Sequence, residues 1–194
     1  MSSITIDSAL YMGQKSLRSI TTNYKNEVLW IMQDVLNKDI SYISLNKSSI
    51  LDYDKYDLFV NLIKRRKNKE PLQHILKSIS FYGYDFKIKK NVFIPRPETE
   101  LLVDIIKKNI GFMDSVLEVG TGSGCIPITM ELEKLSNNIQ TIDINNDAIL
   151  LASLNAKNNN CTKIKFIHHN FFYFQPIQKY DLIISNPPYI ALDE

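Results

Sequence analysis

Val116-Leu117-Glu118-Val119-Gly120-Thr121-Gly122-Ser123-Gly124 is the stretch on which the fold turns. Four mostly apolar residues make a short strand, and three alternating glycines follow. The chain holds only 6 glycines, so half of them fall within these five positions. Glycines let the backbone leave a strand sharply and let a ligand lie against bare main chain, while the helix that follows presents free N–H groups. The spacing is G-x-G-x-G, whereas the dinucleotide fingerprint is G-x-G-x-x-G. The loop therefore points to a nucleotide-like ligand without matching that fingerprint.

Outward from the loop, strand and helix patterns alternate. Residues 125–134 read as helix, 139–144 as strand and 147–158 as helix, and 163–167 and 181–185 supply two further strands. Strands separated by helices of this length predict a parallel α/β sheet with ligands at the carboxyl ends of its strands. Asp143 ends the second of these strands about 20 residues after the loop, where an acidic side chain can accept hydrogen bonds from both ribose hydroxyls. Asp is also a common strand-ending residue, so the glycine loop before it carries the ribose reading.

Ser185-Asn186-Pro187-Pro188-Tyr189 follows the apolar Leu182-Ile183-Ile184. Two prolines cannot donate to a ladder and fix φ, so the strand stops and carbonyls are left at the ligand edge of the sheet. Asn186 offers a side-chain carbonyl and Tyr189 a flat ring. Together they suit a planar NH₂ group, with acceptors taking its hydrogens and a ring stacked on its plane.

The amino-terminal third has a different texture. Leu10, Leu17, Val28, Leu29, Ile31, Met32, Val35 and Leu36 recur at helical spacing, and Tyr56, Leu58, Phe59, Leu62 and Ile63 repeat the pattern before the basic run Lys64-Arg65-Arg66-Lys67. Three or four short helices are expected, with Trp30 in their core. The basic run reads as a solvated helix end, since no aromatic residues interleave with it. Between residues 80 and 94 the β-formers Phe81, Tyr82, Tyr84, Phe86, Ile88, Val92, Phe93 and Ile94 predict a β-hairpin with its polar break at Lys90 and Asn91. Pro95 and Pro97 then force extended backbone, and Glu98, Thr99 and Glu100 open a helix.

Composition bounds the rest. The chain has 194 residues, with 23 Lys+Arg against 21 Asp+Glu and 44% hydrophobic content, which excludes disorder, collagen and coiled coil. The apolar runs are too short to span a bilayer and the start lacks a signal-peptide pattern, so a cytoplasmic location without membrane attachment is expected. A formal charge of +2 gives no global reason to bind nucleic acid. Cys125 and Cys161 are expected as reduced thiols, and His74, His168 and His169 lack metal-ligand spacing, so no metal site is expected.

The order of residues 120–124, Asp143 and Asn186-Pro187-Pro188-Tyr189 resembles the class I S-adenosylmethionine-dependent methyltransferases that modify planar amino groups. Glu70-Pro71-Leu72-Gln73-His74-Ile75-Leu76, Phe81-Tyr82-Gly83 and Phe93-Ile94-Pro95-Arg96-Pro97-Glu98-Thr99-Glu100-Leu101-Leu102-Val103 further resemble the peptide chain release factor N5-glutamine methyltransferase family. The resemblance covers the whole chain. It implies an α/β fold with a small helical substrate-recognition domain at 1–75, a β-hairpin linker at 76–95, and the first four strands of a Rossmann-like methyltransferase sheet at 96–194. It also implies S-adenosyl-L-methionine as cofactor and release factors as partners. Gly120, Thr121, Gly122, Ser123 and Gly124 would lie along the cofactor's amino-acid portion, with Glu118 supporting the loop and Asp143 on the ribose. Phe171 falls beside the adenine, and Asn170 stands where the family usually has Asp. Asn186 and the Pro187 carbonyl would take the glutamine amide, Asn186 also counting among the cofactor-binding residues, with Pro188 and Tyr189 completing the motif.

Two other readings stay open. A nucleic-acid amino-methyltransferase shares the same motifs but would need a basic surface. A fragment that binds cofactor or release factor without turnover is also consistent, because a sheet of this family continues past Tyr189, and the chain is expected to be a carboxyl-terminally truncated part of a longer or fused protein.

Overall fold

The computed structural model describes residues 4–187, and these fall into two compact units divided between Leu76 and Lys77. The first unit is helical: α1 (Ile6–Leu17), α2 (Tyr24–Leu36), α3 (Ile40–Leu45), α4 (Tyr53–Lys67) and α5 (Leu72–Leu76). Thr5 caps α1 by accepting the Ser8 N–H, and Ser8 returns a bond to the Thr5 N–H, which satisfies two donors that the helix cannot. Leu17, Val28, Ile31, Met32 and Phe59 are buried at its centre. Gly13 lets α1 approach closely, since a Cβ there would lie 2.9 Å from Val28 Cγ1 and 3.0 Å from Phe59 Cζ.

Trp30 departs from expectation, being 40% exposed. Val28, Ile31, Met32 and Val35 define the buried stripe of α2, and Trp30 sits two residues from Val28, on the far side of a 3.6-residue turn. Two of the four basic residues at the end of α4 are engaged within the unit. Arg66 Nε donates to Glu27 Oε2 at 2.6 Å and Arg65 Nε to Glu70 Oε2 at 2.8 Å.

In the second unit β1 (Ser78–Phe81) and β2 (Tyr84–Lys87) form an antiparallel hairpin. Its turn is Tyr82-Gly83, both at positive φ (54° and 81°), as a two-residue turn matching strand twist requires. The expected break at Lys90 and Asn91 is therefore misplaced: residues 88–98 are not strand but irregular chain. The hairpin also belongs to the second unit. Tyr82 N–H donates to Glu100 at 2.7 Å, its hydroxyl to Asp104 at 2.8 Å, and the Tyr84 hydroxyl to Glu133 at 2.8 Å.

The remaining elements are α6 (Thr99–Asn109), β3 (Val116–Val119), α7 (Cys125–Leu132), β4 (Ile139–Asp143), α8 (Asn146–Asn158), β5 (Ile164–His168), a 3₁₀ turn (Phe171–Tyr173) and β6 (Leu182–Ser185). All four of the later strands are parallel, in the order β5-β4-β3-β6. The chain steps outward from β3 to β4 and β5, then returns to the opposite side of β3, so the order reverses at β3. Ligands in open α/β sheets bind outside the carboxyl ends of strands at such a reversal. Val116, Leu117, Ile139 and Ile142 are buried, as is Ile184 of β6, while Ile183 is exposed; among the described residues β6 pairs on one side only.

Candidate active site

Each of the four parallel strands delivers a site residue at its carboxyl end. The glycine loop follows β3, Asp143 closes β4, Asn170 and Phe171 follow β5, and Asn186 and Pro187 follow β6. All of these except Gly124 of the loop line one cavity of about 470 Å³. Pro188 and Tyr189 lie outside the described residues.

The three loop glycines divide their work. Gly120, Gly122 and Gly124 all have positive φ. A Cβ on Gly120 or Gly122 would meet nothing within 4 Å, which leaves bare backbone facing open space, as a bound ligand needs. A Cβ on Gly124 would lie 2.9 Å from the Ala152 Cβ and 3.0 Å from Ile128 Cδ1, so this glycine permits close packing between the start of α7 and α8. The residues between them face inward. The Thr121 and Thr141 hydroxyls are 2.6 Å apart, and Ser123 Oγ lies 3.1 Å from Cys125 Sγ. Contacts from Thr121 and Ser123 to a ligand thus fall to their main chain.

Glu118 lies beneath the loop at 1% exposure. Thr141 donates its hydroxyl proton to Glu118 Oε2, so the oxygen of Thr141 accepts from Thr121. Burial pushes the Glu118 carboxyl up to about 8, with the Asp143 charge adding and the Thr141 hydrogen bond opposing. Asp143 is half-buried. Its Oδ2 accepts the Gly122 N–H at 2.9 Å and its Oδ1 the Asn145 N–H at 2.8 Å. A carboxylate oxygen has two lone-pair sites, so each retains one for a hydroxyl donor. Asn170 Oδ1 caps the 3₁₀ turn by accepting the Phe172 N–H at 3.0 Å, which holds Phe171 against the cavity.

Asn186 Nδ2 donates to Thr99 Oγ1 at 3.0 Å. Ser185 Oγ donates to the Val119 carbonyl at 2.8 Å, which fixes the end of β6 against β3.

Sequence reasoning missed two contributors. Residues 88–94, read as part of the hairpin, instead run with Pro95 along the cavity: Asn91, Val92, Phe93 and Pro95 line it. Val92 is buried with Ala148 and Leu151, Asn145 Nδ2 donates to the Asn91 carbonyl at 3.0 Å, and Lys89 pairs with Asp147 at 2.8 Å. The left-handed Asn91 (φ 71°) between Lys90 and Val92 is the one local sign of this course. The second is Asn155 of α8, fully buried. It accepts the Lys87 N–H at 2.8 Å and donates to the Lys87 carbonyl at 3.1 Å and the Ser123 carbonyl at 2.8 Å, joining β2 to the glycine loop.

Other candidates form no site of their own, His169 being part of the lining of the same cavity. Among the described residues no group of three or more His, Cys, Asp or Glu could hold a metal ion. His168 and His169 ring nitrogens lie at 3.0 and 2.8 Å from the Ile144 and Asn170 carbonyls. Cys125 is buried and its thiol is pushed up to about 12, chiefly by burial, so the helix start does not activate it.

A methyltransferase small domain model matches residues 85–193, more than half of the chain, and a PrmC N-terminal domain model matches residues 8–76. A release factor glutamine methyltransferase of Francisella tularensis subsp. tularensis is 31% identical over 195 residues, which cover 99% of this chain and 69% of that protein. The chain belongs to the release factor glutamine methyltransferase family. A bifunctional methyltransferase of Rickettsia bellii is 33% identical over 220 residues; the match takes in 98% of this chain and 40% of that protein. The chain thus spans about two fifths of the length of the Rickettsia relative. A methyltransferase structure from Pyrococcus furiosus superposes with a TM-score of 0.48 at 18% identity, covering 57% of this chain and 55% of that one. No helix among the described residues is long and apolar enough to cross a membrane.

Proposed function

We propose that the cavity binds S-adenosyl-L-methionine and that the protein transfers its methyl group to the side-chain nitrogen (N5) of a glutamine in peptide chain release factors. One observation carries the reading: open glycine backbone, the Asp143 carboxylate and the Asn186 amide converge on one cavity at the strand-order reversal. The residues fit such a cofactor. Gly120 and Gly122 leave room for its amino-acid portion, Asp143 keeps acceptor capacity for ribose hydroxyls, and Phe171 offers an apolar ring for a base. Asn170 keeps one lone-pair site on Oδ1 for an amino group. When bound, S-adenosyl-L-methionine supplies an electrophilic methyl carried on a sulfonium.

The residues of the chain then position the acceptor. An amide nitrogen is a poor nucleophile because its lone pair is delocalised into the carbonyl, and its protons are too weakly acidic for a side chain to remove in advance. Asn186 Oδ1 and the Pro187 carbonyl accept its two N–H groups, which favours a pyramidal nitrogen and aims the lone pair into the cavity. Positioning and charge placement, rather than a general base, supply the rate, and the extra proton on the nitrogen leaves to solvent after the methyl has transferred. The first unit, residues 1–75 in this reading, recognises the release factor, and the reaction takes place in the cytoplasm. Engagement of Arg65 and Arg66 with Glu70 and Glu27 supports a protein rather than a nucleic-acid substrate.

The test is labelled S-adenosyl-L-methionine with purified release factor, beside tRNA and DNA, using the full chain. Label on the factor's glutamine is expected, and label on nucleic acid instead overturns the substrate. Asn186→Ala should lower transfer by about 10²-fold or more while cofactor affinity stays within about threefold; equal loss of both removes the role given to Asn186.

A further inference from the structure

We infer that Thr99 is a positioning residue that sets which end of the Asn186 amide faces the reacting group; the catalytic consequence rests on the function proposed above. An asparagine amide has an acceptor end and a donor end of nearly the same shape. A substrate NH₂ needs the acceptor. Turned around, Asn186 would set its own N–H groups against those of the substrate.

The structure assigns the orientation through one hydrogen bond, from Asn186 Nδ2 to Thr99 Oγ1 at 3.0 Å, in which the hydroxyl, able to donate as well as accept, is the acceptor. With Nδ2 held there, Oδ1 is the end left for a donor. Thr99 itself is rigidly set. It is 7% exposed and opens α6, its N–H donates to the Arg96 carbonyl at 2.9 Å, and the following Glu100 N–H donates to the Pro97 carbonyl at 3.1 Å. Pro95 and Pro97 fix φ in the approach to it, so the Pro-Arg-Pro-Glu segment forms a stiff bracket for one hydroxyl.

Its location is equally specific. Thr99 and Asn186 both line the 470 Å³ cavity, and both also line a second one of about 560 Å³ beside Arg96, Glu98 and Ile105. The pair is therefore part of a wall common to the two. A group presented from the second cavity to a methyl donor in the first would pass this amide, where a fixed Oδ1 orients an incoming N–H.

Thr99→Val keeps the shape and removes the hydroxyl, while Thr99→Ser keeps it. In the full chain Thr99→Val should lower kcat for methyl transfer about tenfold with the Kd for S-adenosyl-L-methionine unchanged, and Thr99→Ser should restore most of the rate. Added to Asn186→Ala, Thr99→Val should cause no further loss, since it acts through that amide. The proposal is overturned if Thr99→Ser is as slow as Thr99→Val, if the loss persists in the Asn186→Ala background, or if the Kd rises in step with the loss of rate. A direct readout separates this from failure of the proposed function. In ¹H–¹⁵N spectra the Asn186 Hδ2 protons should exchange slowly in the wild type and in Thr99→Ser, and at the rate of a solvated asparagine in Thr99→Val. If the wild type methylates no glutamine, the function falls, and these exchange rates alone decide the orientation: slow exchange lost in Thr99→Val upholds it, and fast exchange in the wild type overturns it.

Discussion

Gly122 donates its backbone N–H to Asp143 Oδ2 at 2.9 Å, so the residue suited to a ribose also fastens the middle of the glycine loop. Removing it does two things. Asp143→Ala should weaken S-adenosyl-L-methionine binding by about 10²-fold, more than loss of a ribose contact alone, because the Gly122 and Asn145 N–H groups lose their acceptor as well. Asp143→Asn retains one acceptor oxygen and should fall between the two. Calorimetric titration of both variants checks the order, and equal affinities for Ala and Asn would contradict it.

Gly122 and Gly124 should respond to alanine in opposite ways. Gly124→Ala places a Cβ 2.9 Å from Ala152 and at a φ of 79°, and is expected to cost about 2–4 kcal/mol of stability. Gly122→Ala meets no atom and carries only the left-handed backbone cost of about 1–2 kcal/mol, but fills space against the cavity. Denaturant titration with and without cofactor should show Gly124→Ala as the stability variant and Gly122→Ala as the binding variant.

Glu118 gives the second unit a defined pH dependence. The folded protein keeps a proton on this carboxyl up to about 8, whereas an ordinary glutamate releases it near 4.5. Between those values the unfolded chain binds fewer protons than the folded one, so this group makes stability fall as pH rises, by an amount on the order of a few kcal/mol. Glu118→Gln has no such titration. Its melting temperature relative to the wild type should rise steadily from pH 5 to pH 8 and level off above; a constant difference would refute the assignment.

The Glu27–Arg66 pair joins α2 to α4 with both side chains largely shielded, at 9% and 16% exposure. Glu27→Ala leaves the guanidinium without its carboxylate and is expected to cost about 2–4 kcal/mol. A double replacement by apolar residues of similar volume, Glu27→Leu with Arg66→Met, should recover most of that loss. Urea unfolding followed by the helical signal measures both.

The sheet was legible to within a residue or two at each strand, because glycine, Asp and Pro-Pro punctuate short apolar runs. The cavity's strand-end residues were legible for the same reason. Residues 88–94 were not, since Val92, Phe93 and Ile94 carry β-propensity whether they pair in a ladder or run along a cavity, and the true turn hid a tyrosine at positive φ. Trp30 shows the limit of hydrophobic content without phase: its neighbours set the buried stripe. Asn155 was one asparagine among many, and only the approach of Lys87 and Ser123, 68 and 32 residues away, distinguishes it. The Thr99–Asn186 contact spans 87 residues and has no local signal.

That β6 pairs with β3 across 66 residues bears on the order of assembly. Helices and the β1–β2 hairpin close short loops, whereas Val116 meets Leu182 only after the intervening chain has been laid down as β4, α8 and β5. Pairings so distant in sequence are slow to form. Asn186 is carried by β6, so the amide reaches Thr99 only when β6 docks on β3. The cavity can then acquire its glycine loop and Asp143 before β6 docks, and its Asn186 wall only afterwards.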